Sequence, residues 1–481
     1  MERIGVCVIS YGAREAAMID AFMKSEYEVQ LFVVDKQENP FNVKIARKSG
    51  GVHRVHPKLN VEEIVNFVGK YRDKIDFVIP GCESPIINGL RDRIQREFDY
   101  DIPVLCPEVK YALEKSKVEQ RFLLEEVVPE VNPRFRVFDP NDYKNRSEKE
   151  LEKDVERWMS ELGGIEHSVI KPDKPGFGKG VGVGGEHFLT LQQALDHFYS
   201  VWSNGKEKVI IEEKLDGEES SFQAFCDGKH LVPLPETRDY KRAFDGDKGP
   251  NTGGMGSYKD VGNYLPFMNK QDWEKEIEIV NKIFNYLKSW YKEIYGDERV
   301  VGLIGMPFYV AFIHTGDGPK ILEINSRPGD PEIINLLPIM KDDFVDVCFK
   351  LMGGFLTRLD FEPKATVVTY AVPEPYPAKD GRKRKVDLST AYRLMKEYGE
   401  EKMRIYPASM EISDDRDMYA LGSRTVCVVG IGDSLEEARE ISLKGIKTII
   451  ARSEDLRYRT DIASREHINR SIEHMKKLKG Y

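Results

Sequence analysis

Within the chain, the stretch PKILEINSRPGDPE holds the clearest metal-binding pattern, Glu323 and Asn325 two positions apart on an apolar run. Side chains alternate along a strand, so these two oxygen-bearing groups share a face while Ile324 turns into a core. One carboxylate and one amide suit Mg2+ (or Mn2+), a hard cation that keeps substrate phosphates in its shell and needs no full protein cage. The turn that follows, with Arg327, Gly329, Asp330 and Pro331, carries both signs of charge and is expected to hold a small charged ligand.

Phosphate chemistry points to residues 171–185, KPDKPGFGKGVGVGG, with glycines at 176, 178, 180, 182, 184 and 185. Backbone amides in such a stretch can approach phosphate oxygens with no Cβ in the way. No GK is followed by Ser or Thr, which excludes a Walker loop, and no helix clearly starts on the glycines, which excludes a dinucleotide fingerprint. A flexible flap over a triphosphate remains, set against a mobile hairpin with no ligand. Lys171 closes the run HSVIK and can address a phosphate as a compact charge, or be a solvated lysine. Next, VIIEEKLDGEE sets Glu212, Glu213 and Lys214 at the end of an apolar strand, with Glu219 beyond. Backbone groups there can take a purine while a carboxylate accepts from ribose hydroxyls, although such an acidic group is also a common exposed turn. Finally, DYKRAFDGDKGPNTGGMGSY, residues 239–258, is rich in turn formers with no periodicity to serve a core. With Asp239, Lys241 and Arg242 before its glycines, it reads as a binding loop rather than a linker.

These groups need elements to position them. From residue 4 the chain runs apolar (IGVCVIS), turns at Gly12, is helical over 14–24, and runs apolar again (VQLFVVD) to Asp35. The pattern returns with DFVIPG at 76–81, a helical segment over 85–98 and PVLCP at 103–107, predicting a parallel sheet with helices. Ligands of such sheets gather at the carboxyl ends of the strands, here residues 10–14, Asp35 and residues 81–84. A helical segment over 109–126 precedes a charged stretch, NDYKNRSEKELEKDVERW, read as a solvated helix or insertion. The tail carries the runs ATVVTYAV and TVCVVGIG and a helix over 435–450. The expected architecture is α/β and α+β, with an N-terminal parallel-sheet domain over 1–108, a central domain over 109–354 and a small α+β domain over 355–481.

Composition bounds the function classes. With 72 Lys+Arg against 81 Asp+Glu, a net charge of -9 and 41% hydrophobic residues, the chain is expected to be globular, not a disordered tail. Mild acidity argues against a nucleic-acid binder that works through a basic surface. The uncharged apolar stretch 300–313 is shorter than the roughly 18 residues of a membrane span and contains Gly302, Gly305 and Pro307. The start, MERIGVCVISYGARE, lacks a small-residue cleavage site, so a cytoplasmic protein is expected. Six cysteines with no CxxC pair read as reduced, buried thiols. The run KDGRKRK at 379–385 reads as a solvated loop, and His53 and His56, without partners at ligand spacing, are given no role.

The strings resemble those of the glycinamide ribonucleotide synthetase family in the ATP-grasp superfamily. There a loop worded like GPNTGGMGSY follows a D-x-K-R segment, and a later E-x-N-x-R-x-G-D-P-E motif carries the magnesium ligands; both stand here in order. The likeness extends to Gly81-Cys82-Glu83-Ser84-Pro85, to Ser116-Lys117, to the VIKPDKPGFGKGVGV flap and to TVCVVGIGDSLEEA near the end. The first loop keeps Gly12, Arg14 and Glu15 where the family has a further glycine and a histidine, and Pro328 stands where the family tends to have phenylalanine.

The resemblance implies a pre-ATP-grasp domain, a two-lobed ATP-grasp domain and a small C-terminal domain. It implies Lys117, Lys171, Gly176, Gly178 and Gly180 at the ATP phosphates, Glu212, Glu213, Lys214 and Leu215 as an adenine hinge, Glu219 at the ribose, and Glu323 and Asn325 at magnesium. Substrate contacts fall to Gly12, Arg14, Glu83, Asp239, Lys241, Gly253, Gly254, Arg327, Gly329 and Asp330, with Lys171, Arg327 and Asp330 catalytic. The implied reaction is phosphorylation of the glycine carboxylate by ATP and attack of phosphoribosylamine on the acyl phosphate, with no covalent protein nucleophile. Positioning and charge neutralisation are what phosphoryl transfer asks of a protein. Lys171→Ala is expected to weaken ATP use and leave the fold intact. The partners expected are small molecules, with no nucleic acid and no membrane, for a monomer or homodimer. The alternatives are a paralogue joining another carboxylate and amine, and a nucleotide-binding regulator without catalysis.

Overall fold

The computed structural model describes residues 3–176, 180–295, 299–413 and 417–480. Two compact units divide the chain. The first comprises Met1–Ala112, Ser220–Tyr309 and Asn325–Glu473; the second comprises Leu113–Glu219, Val310–Ile324 and His474–Tyr481.

In the first unit, a four-stranded parallel sheet is formed by three apolar strands buried almost throughout, as strands covered on both faces are, and by a partly exposed edge strand, Val52–Val55. Its order is Val52–Val55, Glu28–Asp35, Arg3–Ser10, Phe77–Pro80. Ser10 lies beside Asp35 and Ile9 beside Pro80, so the strands end together at one edge. The helical segment expected over 85–98 is two helices, Glu83–Ile87 and Leu90–Glu97, because Gly89 takes the left-handed region at φ 77° and ends the first. The strand expected at PVLCP is a single bridge between Val104 and Val78. Pro103 and Pro107 flank it and cannot donate to a longer ladder.

The first unit also holds an antiparallel sheet in the order Arg238–Asp239, Gly256–Lys259, Ala365–Pro373, Val426–Gly432, Met403–Pro407. Helix Leu435–Ile450 lies so close to it that a Cβ on Gly430 would fall 1.9 Å from the Ala438 carbonyl oxygen. The string at 239–258 therefore differs from the irregular loop expected. It contains the paired strands Arg242–Phe244 and Lys248–Asn251, ends in a sheet strand, and buries Met255 and Tyr258 in a core. Early and late segments of the chain are stitched in this unit by Gln37 and Asn39. Their amides donate to the Ala408 carbonyl at 3.2 Å each, and Asn39 donates to that of Pro407 at 2.8 Å. In the basic run 379–385, Arg384 is buried in a strand with Asp380 as its partner, so the solvated-loop reading does not extend to it.

The second unit is built on an antiparallel sheet in the order Phe135–Phe138, Val209–Glu213, Ser168–Pro172, Gly182–Val183. Helix Leu191–Trp202 packs on it. The charged stretch beyond residue 141 is helix Glu148–Glu161, whose Leu151, Val155 and Met159, four residues apart, enter the core beside Phe138 and Phe198. Only its opposite face is solvated. The helical segment expected over 109–126 begins at Lys117, because the Ser116 hydroxyl caps it by accepting from the Glu119 amide at 3.1 Å. All six cysteines are buried and free. No helix among the described residues is long and apolar enough to cross a membrane.

Candidate functional site

In the second unit, the antiparallel pairing of Ser168–Pro172 with Val209–Glu213 sets Val169 opposite Glu212 and Lys171 opposite Ile210. Lys171 Nζ reaches Glu212 Oε2 at 2.6 Å, and Arg121 closes on the same carboxylate from helix Lys117–Val127, Nε to Oε1 at 2.6 Å and Nη2 to Oε2 at 3.0 Å. All three side chains are buried. Burial alone would raise the Glu212 carboxyl, but Arg121 and Lys171 overturn it and bring it down to about 2. Burial pushes the Lys171 ammonium the other way, downward, against the pull of Glu212. Lys171 is a strand residue in a buried ion trio, so its truncation is expected to disturb the fold, where the sequence reading expects the fold to stay intact.

Arg121 also donates to the carbonyls of Ile321 at 3.1 Å and Leu322 at 2.7 Å, and Gln120 brackets Ile324, receiving its N–H at 2.8 Å and donating to its C=O at 2.9 Å. One helix therefore fixes the strand Gly318–Asn325 that carries Glu323. Lys117, the first residue of that helix, is held by its backbone N–H on the Asp173 carbonyl at 2.9 Å, while Asp173 Oδ1 accepts from Ser116 Oγ at 2.6 Å. Its Nζ stands 3.7 Å from Glu323 Oε2.

Glu213 pairs with Arg134 at 2.9 Å, and Lys214 Nζ donates to the Gly184 carbonyl at 3.0 Å and lies 3.2 Å from Glu186. Leu215 is half-buried in the irregular stretch after the strand, and Glu219 is half-buried on the strand Glu218–Cys226. Gly176 is half-buried in irregular chain, Gly178 lies outside the described residues, and Gly180 turns at φ 85° with its carbonyl 3.0 Å from His197 Nε2.

In the first unit, Gly12 precedes helix Ala13–Phe22, and Glu15 Oε2 accepts from its N–H at 2.8 Å. Arg14 Nε donates to Glu15 Oε1 at 2.8 Å and its Nη1 to the Pro328 carbonyl at 2.9 Å, both side chains being buried. Burial raises the Glu15 carboxyl, with Arg14 drawing it back in part. Glu83 Oε2 lies 3.6 Å from Arg327 Nε, and the Arg327 guanidinium sits over the Tyr309 ring, 5.5 Å from its centroid. The Tyr309 hydroxyl donates to Glu332, which also accepts from Ser221 at 3.4 Å. Gly329 N–H donates to Gln223 Oε1 at 2.8 Å.

Asp330 receives Tyr370 OH at 2.7 Å and both terminal nitrogens of Arg424, at 3.1 Å each. Gly254 has φ 103°, and a Cβ there would fall 2.6 Å from Asp239 Oδ1 and from Pro331 Cδ. Gly253 is exposed beside Arg424; Lys241, half-buried, offers its carbonyl to Thr252 N–H at 2.7 Å. His53, given no role from sequence, places Nε2 3.3 Å from the buried Asp35. Arg121, Tyr309, Tyr370 and Arg424 were not singled out either, since each is one basic or aromatic residue in an ordinary helix or strand, and only folding sets it on a carboxylate.

Glu323 keeps its side chain about one-third exposed, at 35%, two residues from Asn325 on one strand. Among the described residues, no group of three or more His, Cys, Asp or Glu could hold a metal. One partly open carboxylate with one amide on the same strand face fits a magnesium ion that completes its shell with water and phosphate oxygens.

Three family descriptions match the chain: "Phosphoribosylglycinamide synthetase, N domain" over 4–113, "ATP-grasp (A) domain" over 140–333 and "C domain" over 366–465. The chain is 34% identical over 479 residues to the phosphoribosylamine–glycine ligase of Pyrococcus furiosus, spanning 99% of this chain and 98% of that one. With its counterpart from Methanocella arvoryzae it is 33% identical over 482 residues, spanning 99% and 100%. The crystal structure of phosphoribosylamine–glycine ligase from Thermotoga maritima is similar at a TM-score of 0.69 and 23% identity, over 95% of this chain and 100% of that one. The biotin carboxylase domain of Hydrogenobacter thermophilus 2-oxoglutarate carboxylase, in complex with MgADP, ADP and bicarbonate, is similar at 0.62 and 15% identity, over 98% and 93%. These two likenesses speak to the fold alone.

Proposed function

The chain belongs to the phosphoribosylamine–glycine ligase family, and on that premise we propose that it joins glycine to 5-phosphoribosylamine with ATP. The carboxylate is activated as glycyl phosphate, and the products are glycinamide ribonucleotide, ADP and phosphate, a step of purine biosynthesis in the cytoplasm. The observation that carries this reading is full-length likeness to ligases of that name at about one-third identity, with the metal and phosphate residues all present.

In this reading Lys117 and Lys171 neutralise the ATP phosphates, with backbone amides around Gly176 and Gly180 beside them. Lys171 keeps Glu212 as one partner and has further N–H bonds to offer, since an ammonium carries three. Residues 212–215 present backbone groups to adenine, and Glu219 accepts from the ribose. Glu323 and Asn325 hold Mg2+ (or Mn2+), which supplies charge neutralisation at the phosphates. Gly12, Arg14, Glu83, Asp239, Lys241, Gly253, Gly254, Arg327, Gly329 and Asp330 serve glycine and phosphoribosylamine. Catalysis then consists of orientation and electrostatic stabilisation.

Glycine together with freshly generated phosphoribosylamine is expected to stimulate ADP release far above either alone, and chelation of divalent cations to abolish it until Mg2+ or Mn2+ is restored. Turnover with another carboxylate and amine, and none with this pair, would transfer the chain to a paralogous reaction. Nucleotide binding without any turnover would make it a regulator.

A further inference from the structure

We propose that Arg424 is a positioning residue for the glycine and phosphoribosylamine side of the reaction, its single guanidinium holding the loops at 252–255 and 327–331 in one register. The inference rests on the ligase reading above, and nothing in the motif wording singles this arginine out.

Its contacts are all within the first unit. Nη1 donates to the Asp330 backbone carbonyl at 2.8 Å, to Asp330 Oδ1 at 3.1 Å and toward the Gly254 carbonyl at 3.4 Å; Nη2 donates to Asp330 Oδ2 at 3.1 Å. The guanidinium lies over the Tyr370 ring, 4.8 Å from its centroid, and the hydroxyl of the same tyrosine binds Asp330 Oδ1 at 2.7 Å. Both side chains of the pair are close to fully buried, at 12% and 7% exposure. A planar fork can serve two carboxylate oxygens and two carbonyls at fixed angles; a lysine cannot.

Two consequences follow for the loops. Both oxygens of Asp330 accept from Arg424 or Tyr370, so its carboxylate is held fixed at the head of the loop from Arg327 onward. The glycines at 253 and 254 stand close beside this packing, and Gly254 leaves no room for a side chain. A Cβ at 253 would stand 3.2 Å from the guanidinium, and one at 254 would collide with Asp239 and Pro331. Arg424 is thus the post around which both loops are folded, and the backbone groups that meet the small substrates inherit its geometry.

The test uses the full chain and Arg424→Ala, Arg424→Lys and Tyr370→Phe. Arg424→Ala is expected to raise KM for phosphoribosylamine or glycine about tenfold or more, the scale of a lost charged hydrogen bond, with KM for ATP within twofold of the parent. Arg424→Lys is expected to recover only part of this, because charge returns without the fork. Hydrogen exchange is expected to rise together at 252–256 and 327–332 in both Arg424 variants, and to stay unchanged at 168–172 and 209–213. An equal rise in KM for ATP, or exchange that rises in one loop or in neither, would overturn the proposal. The exchange measurement needs no substrate, so it decides the role of Arg424 even if the chain proves not to ligate glycine. Should Arg424→Ala not fold, Arg424→Lys and Tyr370→Phe carry the same comparison.

Discussion

In the second unit, Glu212 faces two cations, Lys171 and Arg121, 41 and 91 residues away in sequence, and Glu323 has Lys117 nearby. Around Glu212, two buried cations share one carboxylate. In the first unit three arginines pair with three separate carboxylates: Arg14 with Glu15, Arg327 with Glu83, Arg424 with Asp330. The contacts that fix their loops span 94 residues from Arg424 to Asp330 and 314 from Arg14 to the Pro328 carbonyl. Two cations gathered on one carboxylate leave positive charge for a polyphosphate, which arrives heavily anionic. Arginines each held on their own carboxylate suit small substrates that carry both signs, since neither sign is left to repel one end of the ligand.

The sharpest way to break the comparison is Glu212→Gln, which leaves two buried cations without a counter-charge. It is expected to lower stability by about 3–5 kcal/mol, read from urea midpoints. A loss under 1 kcal/mol would mean that the trio is not the anchor of the second unit. Next, Glu323→Ala is expected to lower the rate of ADP release by about a hundredfold or more while leaving the urea midpoint within 1 kcal/mol, since this carboxylate is partly open and is the proposed magnesium ligand. Gly254→Ala is expected to cost about 1–3 kcal/mol through its backbone conformation and its collision with Asp239 and Pro331, and to impair glycine and phosphoribosylamine use more than ATP use.

Acid gives a smaller and graded effect. Glu212 titrates near 2 in the folded protein against an ordinary 4.5, so its contribution to stability is complete above about 4.5 and is lost as pH falls toward about 2. Urea midpoints of the parent should fall across that window more steeply than those of Glu212→Gln; parallel curves would remove this carboxylate from the account. The smallest stability change expected is for Lys117→Met, under about 1 kcal/mol, because the pair with Glu323 is long. Its measurable effect should be weaker ATP binding.

Several elements were legible from local pattern. The first parallel strands announce themselves as apolar runs, helix Leu435–Ile450 stands where the tail is expected to be helical, and Glu323 and Asn325 are marked by strand alternation. Errors arose where a long-range partner changed the meaning of a local string. GPNTGGMGSY looks like pure turn chemistry, yet its last residues pair with Ala365–Pro373, more than 100 residues on, and Tyr258 becomes core. Lys171 looks like the foot of a flap, yet Glu212 and Arg121 enclose it.

What the sequence by itself determined is the chemistry available: oxygen ligands on one strand face, lysines and glycines for phosphate, and a loop dense in turn formers, all encoded by residue type at short spacing. What only the tertiary structure decided is which charges neutralise one another, because an ion pair depends on the meeting of side chains from distant segments and on the exclusion of water around them. That is why Arg121 and Arg424, two basic residues among 72, remained invisible until the chain was folded.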